Sequence, residues 1–347
     1  MKIIHTGDVH LGVEPDRGKA WTLQRKEEIW NSFRGLIDCV REEKADFLII
    51  AGDLFHRPPT KRELHEINYL FSGIPDTKVV LVAGNHDHIR DNSTWLDMEW
   101  EENVIGLFDR ELQKVSVPEK QTALYGCSYY EQIVRDDIYA EAESHGNENW
   151  HILVAHGGDA DHAPFDPEAL AERFSYVAAA HIHKPAIHAN GRFAFCGSLE
   201  PINRNETGRH GYMRIVLQED TIRTEFVPFA SRSYNNLKVT VRESITQMEL
   251  ENTLRHAIEK RGTQNYYRIL LQGKRADGMA FSKERLSDLG NITDVQDNTA
   301  PAYDLDVLLH HYEGTLIGAY IRRFRDSDDP IEKQALQYGL EALLASR

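Results

Sequence analysis

Five short apolar runs in this sequence each end in aspartate, asparagine or histidine, and this repetition limits the fold more than any other feature. The run Phe47–Ala51 stops at Gly52 and is followed by Asp53. Short apolar runs that end at a glycine are typical of buried parallel strands, whose carboxyl ends form the ligand-binding edge of an open sheet. The other four runs end with the same kinds of side chain: Asp8 and His10, Asn85 and His86, His156, and His181 and His183. The repetition predicts one site built from five strand ends.

Helical periodicity between these runs predicts an α/β fold in which helices flank the strands. Apolar residues at helical spacing predict a helix over 23–44, and Thr60 is suited to cap a second helix that reaches about residue 71. A polar helix is expected around 130–144, and residues 185–228 alternate like an antiparallel meander. Alternation of strands and helices in the first part of the chain is typical of a parallel sheet covered by helices.

The segment 228–236 is the boundary that we expect between two domains. Residues 1–230 are predicted to form the first domain, which carries all five strand ends. Beyond the boundary, alternating strands and helices predict a small α/β domain over 231–300. Residues 301–347 are predicted to form C-terminal helices.

The C-terminal segment predicts one helix over 307–325 and another over 331–345, separated by the acidic stretch 326–330. The second helix carries apolar residues at helical spacing, among them Ile331 and Leu340. Because the acidic stretch separates this stripe from the rest of the chain, we expect it to dock on a partner rather than on the chain's own core.

The charge of the chain is strongly acidic, and it is unevenly distributed. The formal net charge is −15, while residues 231–347 hold 16 Lys and Arg against 17 Asp and Glu. The acidity therefore lies in the first 230 residues. Such a balance argues against broad non-specific binding of nucleic acid, although bound metal cations can dominate the field around a phosphate site.

Cysteine usage and hydropathy bear on the cellular compartment. Cys39, Cys127 and Cys196 show no paired spacing, which indicates a reducing compartment and excludes a cysteine-based zinc site. The sequence has neither the apolar core of a signal peptide nor a run long enough to cross a membrane. We therefore expect a cytoplasmic protein without a membrane partner.

The side chains at the strand ends form a donor set of oxygen and nitrogen atoms without a thiolate. Seven of them are candidate metal ligands: Asp8, His10, Asp53, Asn85, His156, His181 and His183. Seven ligands exceed the needs of one tetrahedral ion and suit two ions that share a carboxylate. Two such ions clamp the attacking and leaving oxygens of an in-line displacement and lower the pKa of a bridging water. The set therefore predicts hydrolysis of a phosphate ester.

These motifs resemble those of the calcineurin-like metallophosphoesterases, in the same order and over about the first 200 residues. The resemblance implies a β-sandwich core flanked by helices. It also implies one metal on Asp8, His10, Asp53 and His183 and a second on Asp53, Asn85, His156 and His181, with Asp53 bridging. His86 would stabilise the phosphate or donate a proton, and we expect Asp87 to orient a histidine. Ala180 departs from the family pattern, which has glycine there.

Within the family, the sequence is similar to the SbcD-type DNA repair nucleases, and more narrowly to their YhaO-like branch. The similarity rests on the segments 7–12 and 52–57 and on a small α/β domain after the core. It implies two divalent ions, manganese in this branch, and a catalytic role for His56 at the scissile phosphate. It also implies a DNA substrate, a homodimer, and a partner ATPase that is SMC-like and of the SbcC type. In this architecture the second domain caps the site and the C-terminal helices bind the ATPase.

Two other functions stay open at this level. One is a metallophosphoesterase for a small phosphodiester or nucleotide, which basic residues around the cleft would argue against. The other is a catalytically idle regulatory subunit of an SMC-like ATPase, which the loss of a metal ligand would favour. All seven predicted ligands are present.

Overall fold

The chain forms two compact units in a computed structural model that describes residues 1–90, 93–219 and 221–345. The units are Met1–Ser233 and Tyr234–Arg347. Two six-stranded sheets lie in the first unit, and a three-stranded sheet lies in the second. The α/β class predicted from the sequence is confirmed.

The first unit is a sandwich of two mixed sheets. In chain order its strands are β1 Lys2–Thr6, β2 Phe47–Ala51, β3 Lys78–Val82, β4 Val104–Gly106, β5 Gln113–Val117, β6 Thr122–Gly126, β7 Trp150–His156, β8 Tyr176–Ala180, β9 Ala186–His188, β10 Phe193–Phe195, β11 Gly211–Gln218 and β12 Thr221–Pro228. The first sheet has the order β12-β11-β1-β2-β3-β4, and the second has the order β5-β6-β7-β8-β10-β9. Strands β1 to β4 are parallel, and so are β6 to β8. The carboxyl ends of β1, β2 and β3 therefore share one edge of their sheet.

Strand β2 shows why the central runs are apolar throughout. Its side chains alternate between two cores, because Leu48 and Ile50 pack with the helices while Ile49 and Ala51 pack against the second sheet. All five residues of the strand are buried. A parallel strand that is covered on both faces has no polar side to present to water.

Three helices cover the outer faces of the sandwich: α1 Thr22–Glu43, α2 Lys61–Ser72 and α3 Pro167–Arg173. Helix α2 begins at a capping box, in which the Thr60 hydroxyl accepts from the backbone N–H of Glu63 and the Glu63 carboxylate accepts from that of Thr60. Helix α3 begins at Asp166, whose carboxylate accepts from Glu168 N–H. The predicted bounds of the first two helices agree with those observed.

The second unit repeats a strand–helix–strand pattern on a smaller scale. Its strands β13 Tyr234–Val241, β14 Tyr266–Arg275 and β15 Ile292–Pro301 are parallel, and helices α4 Gln247–Arg261 and α5 Lys283–Ser287 connect them. Apolar side chains of both helices and all three strands form one buried cluster. Three further helices follow: α6 Leu305–His311, α7 Leu316–Phe324 and α8 Pro330–Ala345.

The helix expected around 130–144 is wrong, because this segment is irregular. It is held by tertiary contacts instead of by bonds along a helix. Val134 forms an isolated bridge with His162, and the Tyr139 hydroxyl accepts from the backbone N–H of His156. The polar composition of the segment resembled that of a surface helix and carried no sign of these distant partners.

The meander expected over 185–228 is also wrong as a single sheet. Strands β9 and β10 pair with each other in the second sheet, whereas β11 and β12 pair at the edge of the first. The chain crosses between the sheets over residues 196–210. The sequence of this segment also predicts a hairpin across 219–220, and residue 220 lies outside the described residues.

The helix predicted over 307–325 is broken into α6 and α7. The break lies at Gly314, whose φ of +75° does not fit a right-handed helix. Thr315 then caps α7, because its hydroxyl accepts from Gly318 N–H at 3.4 Å.

The apolar stripe of α8 packs partly on the chain itself. Leu336 and Leu340 are buried with Ile317 and Ile321 of α7, while Ile331 remains 76% exposed. The expectation that the whole stripe docks on a partner is therefore wrong for Leu336 and Leu340. None of the helices in the described parts of the chain is long and apolar enough to cross a membrane.

Candidate metal centre

The seven predicted ligands converge at the carboxyl ends of strands from both sheets. Asp8 and His10 follow β1, Asp53 follows β2 and Asn85 follows β3, all in the first sheet. His156 ends β7, and His181 and His183 follow β8 of the second sheet. Asp8, His10, Asp53 and His156 are at most 1% exposed. The sandwich thus places donors from both sheets around one buried point.

Left-handed backbone recurs at this point of the fold. Asp8, His10 and Asp53 have φ values of +46°, +52° and +50°, and His181 has +95°. Such conformations cost side-chain-bearing residues of the order of 1–3 kcal/mol each and cluster at functional sites. Glycine is required at position 52, because a Cβ there would lie 2.3 Å from Nδ1 of His156. The backbone thus adopts unfavourable conformations at these positions, and these conformations bring the side chains close together.

The donors assigned to the first metal lie close together. Nε2 of His10 and Nε2 of His183 are 3.0 Å apart, and Asp8 completes a group within 4.8 Å. The His183 Nδ1–H donates to Glu206 Oε1 at 3.0 Å, so its Nε2 presents a lone pair. Oδ2 of Asp53 lies 3.9 Å from the His10 Nε2.

The donors assigned to the second metal form a tighter group. Nε2 of His156 lies 3.0 Å from Asn85 Oδ1 and 3.6 Å from Asp53 Oδ2, and Nδ1 of His181 lies 3.1 Å from Asn85 Oδ1. The His156 Nδ1–H donates to the Ala51 carbonyl at 2.9 Å, which leaves a lone pair at Nε2. Separations of roughly 3 Å are those expected between neighbouring ligands about 2.1 Å from one ion. Oδ2 of Asp53 is near donors of both groups, as a bridging carboxylate requires.

Electrostatics also favours cations at this point. Burial raises the pKa of Asp8 to about 6, and burial together with the charges of Asp87 and Asp8 raises the pKa of Asp53 well above its usual range. Among the described residues, no Lys or Arg forms an ion pair with either carboxylate. Burial lowers the pKa of His10 and His156, which keeps these imidazoles neutral and able to bind metal. The donor set therefore fits two divalent cations.

His86 and His56 lie together beside the donors. Their rings stack with centroids 4.9 Å apart, and Nδ1 of His56 lies 3.4 Å from Nδ1 of His10. The His86 Nδ1–H donates to the His56 carbonyl, and its backbone N–H donates to Asp53 Oδ1 at 2.8 Å. Burial and the neighbouring His86 lower the pKa of His56 below its ordinary value. A neutral imidazole carries one N–H, so neutral His56 can offer its N–H to a substrate, whereas that of His86 is taken by the His56 carbonyl and its Nε2 donates only when the ring is protonated.

Three residues that support the candidate metal ligands, Glu206, Asp159 and His162, were not predicted from the sequence. Glu206 binds His183, while Asp159 accepts from the His181 Nε2–H at 2.9 Å and from His162 Nδ1–H at 2.8 Å. Glu206 lies in the segment between β10 and β11, and Asp159 follows His156 by three residues in a glycine-containing loop. Neither position carries a pattern that reveals its partner.

Asp87 has a different role from the one expected. Its carboxylate accepts from the backbone N–H of Phe55 at 3.0 Å and of Gly84 at 2.7 Å. The expectation that it orients a histidine is wrong, because it ties together the loops after β2 and β3. Burial raises its pKa to about 7.

A cavity of about 530 Å³ adjoins the first metal position. Its lining includes His183, Lys184, Arg209, His210 and Phe226. Lys184 and Arg209 are exposed, and the lining also includes the carboxylate of Glu206, which accepts from His183.

Comparison with known proteins agrees with this geometry. The model of the calcineurin-like phosphoesterase family matches residues 1–185, which is more than half of the chain. The chain therefore belongs to this family, as the strand-end motifs predicted.

Three curated relatives illustrate the similarity. The uncharacterized metallophosphoesterase YhaO of Bacillus subtilis is 27% identical over 305 residues, which cover 79% of this chain and 72% of YhaO. The DNA double-strand break repair protein Mre11 of Halobacterium salinarum is 30% identical over 245 residues, covering 67% and 60% of the two chains. Its counterpart in Archaeoglobus fulgidus is 27% identical over 326 residues, covering 84% and 70%. The chain thus spans less than two thirds of the Halobacterium protein.

Proposed function

We propose that this protein is a two-metal phosphodiesterase and acts as the DNA nuclease subunit of a repair complex of the SbcCD type. The observation that carries the proposal is the convergence of inward-facing lone pairs on Asn85 Oδ1 and Asp53 Oδ2. The histidines on the second-metal side bind acceptors through their outer nitrogens, so their inner nitrogens face oxygen atoms 3.0 to 3.6 Å away. Lone pairs opposed in this way repel each other unless cations lie between them.

The residues would divide the work as follows. Asp53 would hold both ions, Asp8, His10 and His183 would hold the first, and Asn85, His156 and His181 would hold the second. Divalent ions at these positions, manganese in our proposal, would supply Lewis-acid stabilisation and an activated water for an in-line displacement. His86 and His56 line the side of the site next to His10. From there the N–H of His56, and the Nε2–H of a protonated His86, would donate to a phosphate oxygen or to the leaving oxygen.

Two observations support DNA as the substrate. Relatives named for DNA double-strand break repair cover most of the chain. The cavity beside His183 offers Lys184 and Arg209, which suit the phosphates that flank a scissile bond in a polynucleotide. A small phosphodiester has no flanking phosphates and would not need these basic residues.

The proposed assembly follows from the same family. We infer a homodimer in the cytoplasm that works with an SMC-like ATPase of the SbcC type. The α/β domain over 231–300 would cap the site, and the helical segment over 301–347 would bind the ATPase. Ile331 and Tyr338 of α8, which are 76% and 62% exposed, are the apolar side chains on that helix left open for a partner.

One experiment tests the proposal directly. Purified protein is incubated with end-labelled DNA and with bis-p-nitrophenyl phosphate, in Mn²⁺ or in EDTA. We expect hydrolysis of both substrates in Mn²⁺ and of neither in EDTA. Cleavage of the small ester alone, with or without an ATPase partner, would replace the nuclease by a small-substrate phosphoesterase, which the acidity of the first unit favours. Hydrolysis of neither substrate under any condition would indicate an idle regulatory subunit.

A further inference from the structure

The loop after β7 carries a polar cluster that no ligand assignment uses. It consists of Asp159, His162 and the outer nitrogen of His181, and these donors lie within 4.8 Å of one another. Asp159 Oδ2 accepts from His181, and its Oδ1 accepts from the ring of His162 and from two backbone N–H groups. Both oxygen atoms of this carboxylate thus accept hydrogen bonds, Oδ1 from the loop and Oδ2 from His181.

The loop that carries Asp159 is held in place by backbone hydrogen bonds and close packing. The backbone N–H of Gly158 donates to the His162 carbonyl at 2.8 Å, and the isolated bridge of Val134 with His162 fixes the loop to the preceding segment. A Cβ at Gly157 would lie 2.5 Å from the His162 carbonyl oxygen, so glycine is required for this closure. The position of Asp159 is therefore determined by the fold.

We propose that Asp159 is a positioning residue for His181, that His162 holds Asp159 in place, and that the pair sets the affinity of the second metal position alone. The proposal rests on the two-metal function proposed above. A carboxylate on the outer nitrogen of a metal-binding histidine fixes its tautomer and ring orientation and increases its basicity. Asp159 stands in that relation to His181.

The two metal positions differ in the number of carboxylate ligands and in the exposure of the carboxylate that supports a histidine ligand. The first has two carboxylates, Asp8 and Asp53, whereas the second shares Asp53 and otherwise has only neutral donors. Glu206 supports His183 on the first side from a side chain that is 13% exposed. Asp159 supports His181 from a side chain that is 46% exposed. The second position is thus the one with less anionic charge and the more accessible support.

The test measures metal binding by the full-length protein, without reference to DNA. Equilibrium dialysis against Mn²⁺ gives two dissociation constants, and electron paramagnetic resonance reports whether the two ions are coupled. In Asp159→Asn we expect one constant to rise by roughly 10- to 100-fold, the usual range for losing such support, and the other to stay within about twofold. His162→Ala should raise the same constant by a smaller factor, because Asp159 remains.

The matched control is Asp161→Asn. Asp161 lies in the same loop, but its side chain pairs with Arg135 and not with His181. Both constants of this variant should equal those of the wild type. In a His181→Ala background, Asp159→Asn should have no further effect, because non-additivity is expected of residues that act through one another.

The outcomes separate the inference from the function on which it rests. A wild type that binds fewer than two ions overturns the two-metal function and this inference with it. Two ions bound equally tightly by wild type, Asp159→Asn and His162→Ala overturn the inference alone. A third ion in the wild type, lost in His162→Ala, would make the cluster a metal site of its own. If Asp159→Asn does not fold, judged by melting in EDTA, His162→Ala decides between these results.

Discussion

The two units of the chain both contain parallel strands joined by helices, yet only one of them gathers reactive side chains. In the first unit, strands end in residues with left-handed backbone such as Asp8 and Asp53. In the second unit, β13 ends at Val241 and β15 at Pro301. All four groups of metal donors found among the described residues belong to the first unit. Parallel topology alone therefore does not create a site.

The difference lies in how many sheets meet at the strand ends. The sandwich of the first unit brings together the ends of β1 to β3 and of β7 and β8, so ligands come from two directions. The second unit has one three-stranded sheet, whose strand ends offer ligands from one direction only. In the first unit, two opposed sets of strand ends surround the point where the metal donors meet. The following variants test this contrast.

The largest effect is expected for Asp53→Ala, which removes the shared carboxylate of the first unit. Both ions should be lost and phosphodiester hydrolysis abolished, while the metal-free protein stays folded because a buried, unpaired carboxylate is removed. Elemental analysis and hydrolysis of bis-p-nitrophenyl phosphate measure this. Asp297→Ala in β15 of the second unit is the control and should leave both unchanged. Two ions at full occupancy in Asp53→Ala would disprove the bridging role.

His56→Ala should have a smaller effect, which depends on the substrate. Loss of one group that donates to the phosphate or leaving oxygen costs roughly 10²-fold or more in rate, so DNA cleavage should fall by that factor. Bis-p-nitrophenyl phosphate has a good leaving group and should be affected much less. Metal content should not change. His65→Ala, an exposed histidine on α2, serves as the control. Equal losses on both substrates would assign His56 a structural role.

Leu340→Ala tests the second unit without touching the first. Leu340 is 1% exposed in the cluster of α7 and α8, and its truncation should destabilise that unit by about 2 kcal/mol, the low end for a buried leucine at the periphery of a fold. Chemical denaturation should show the loss in one transition, while hydrolysis of the small diester is retained. Tyr338→Ala, at a position 62% exposed on the same helix, should change stability little. Loss of hydrolysis in Leu340→Ala would mean that the site depends on the second unit.

The contrast between the units also explains what the sequence could predict. The apolar runs and their polar ends are local signals, so the strand ends and all seven candidate ligands could be read directly. The contacts of Asp159 with His181 and of Glu206 with His183 join residues 22 and 23 positions apart through loops, and no periodicity marks them. The same holds for Tyr139, whose contact with His156 replaces the helix expected around 130–144. Sequence patterns therefore indicate which side chains lie at the strand ends, but not which loop residues bind those side chains.

A pH-dependent effect is expected from His5, a buried histidine of the first unit that is not part of the site. Its Nδ1 lies 2.9 Å from the Tyr176 hydroxyl between the two sheets, and burial lowers its pKa to about 3. Because the unfolded chain keeps the ordinary value near 6.5, the folded state binds fewer protons than the unfolded state between these pH values. The free energy of unfolding should therefore fall as the pH drops below 6.5, by about 1.4 kcal/mol per pH unit from this group. Denaturation in EDTA at pH 7.0, 6.0 and 5.0 measures this slope, and His5→Phe should lack it. Parallel curves for the two proteins would show that His5 is protonated in the fold, and that burial in the sandwich does not by itself keep an imidazole neutral.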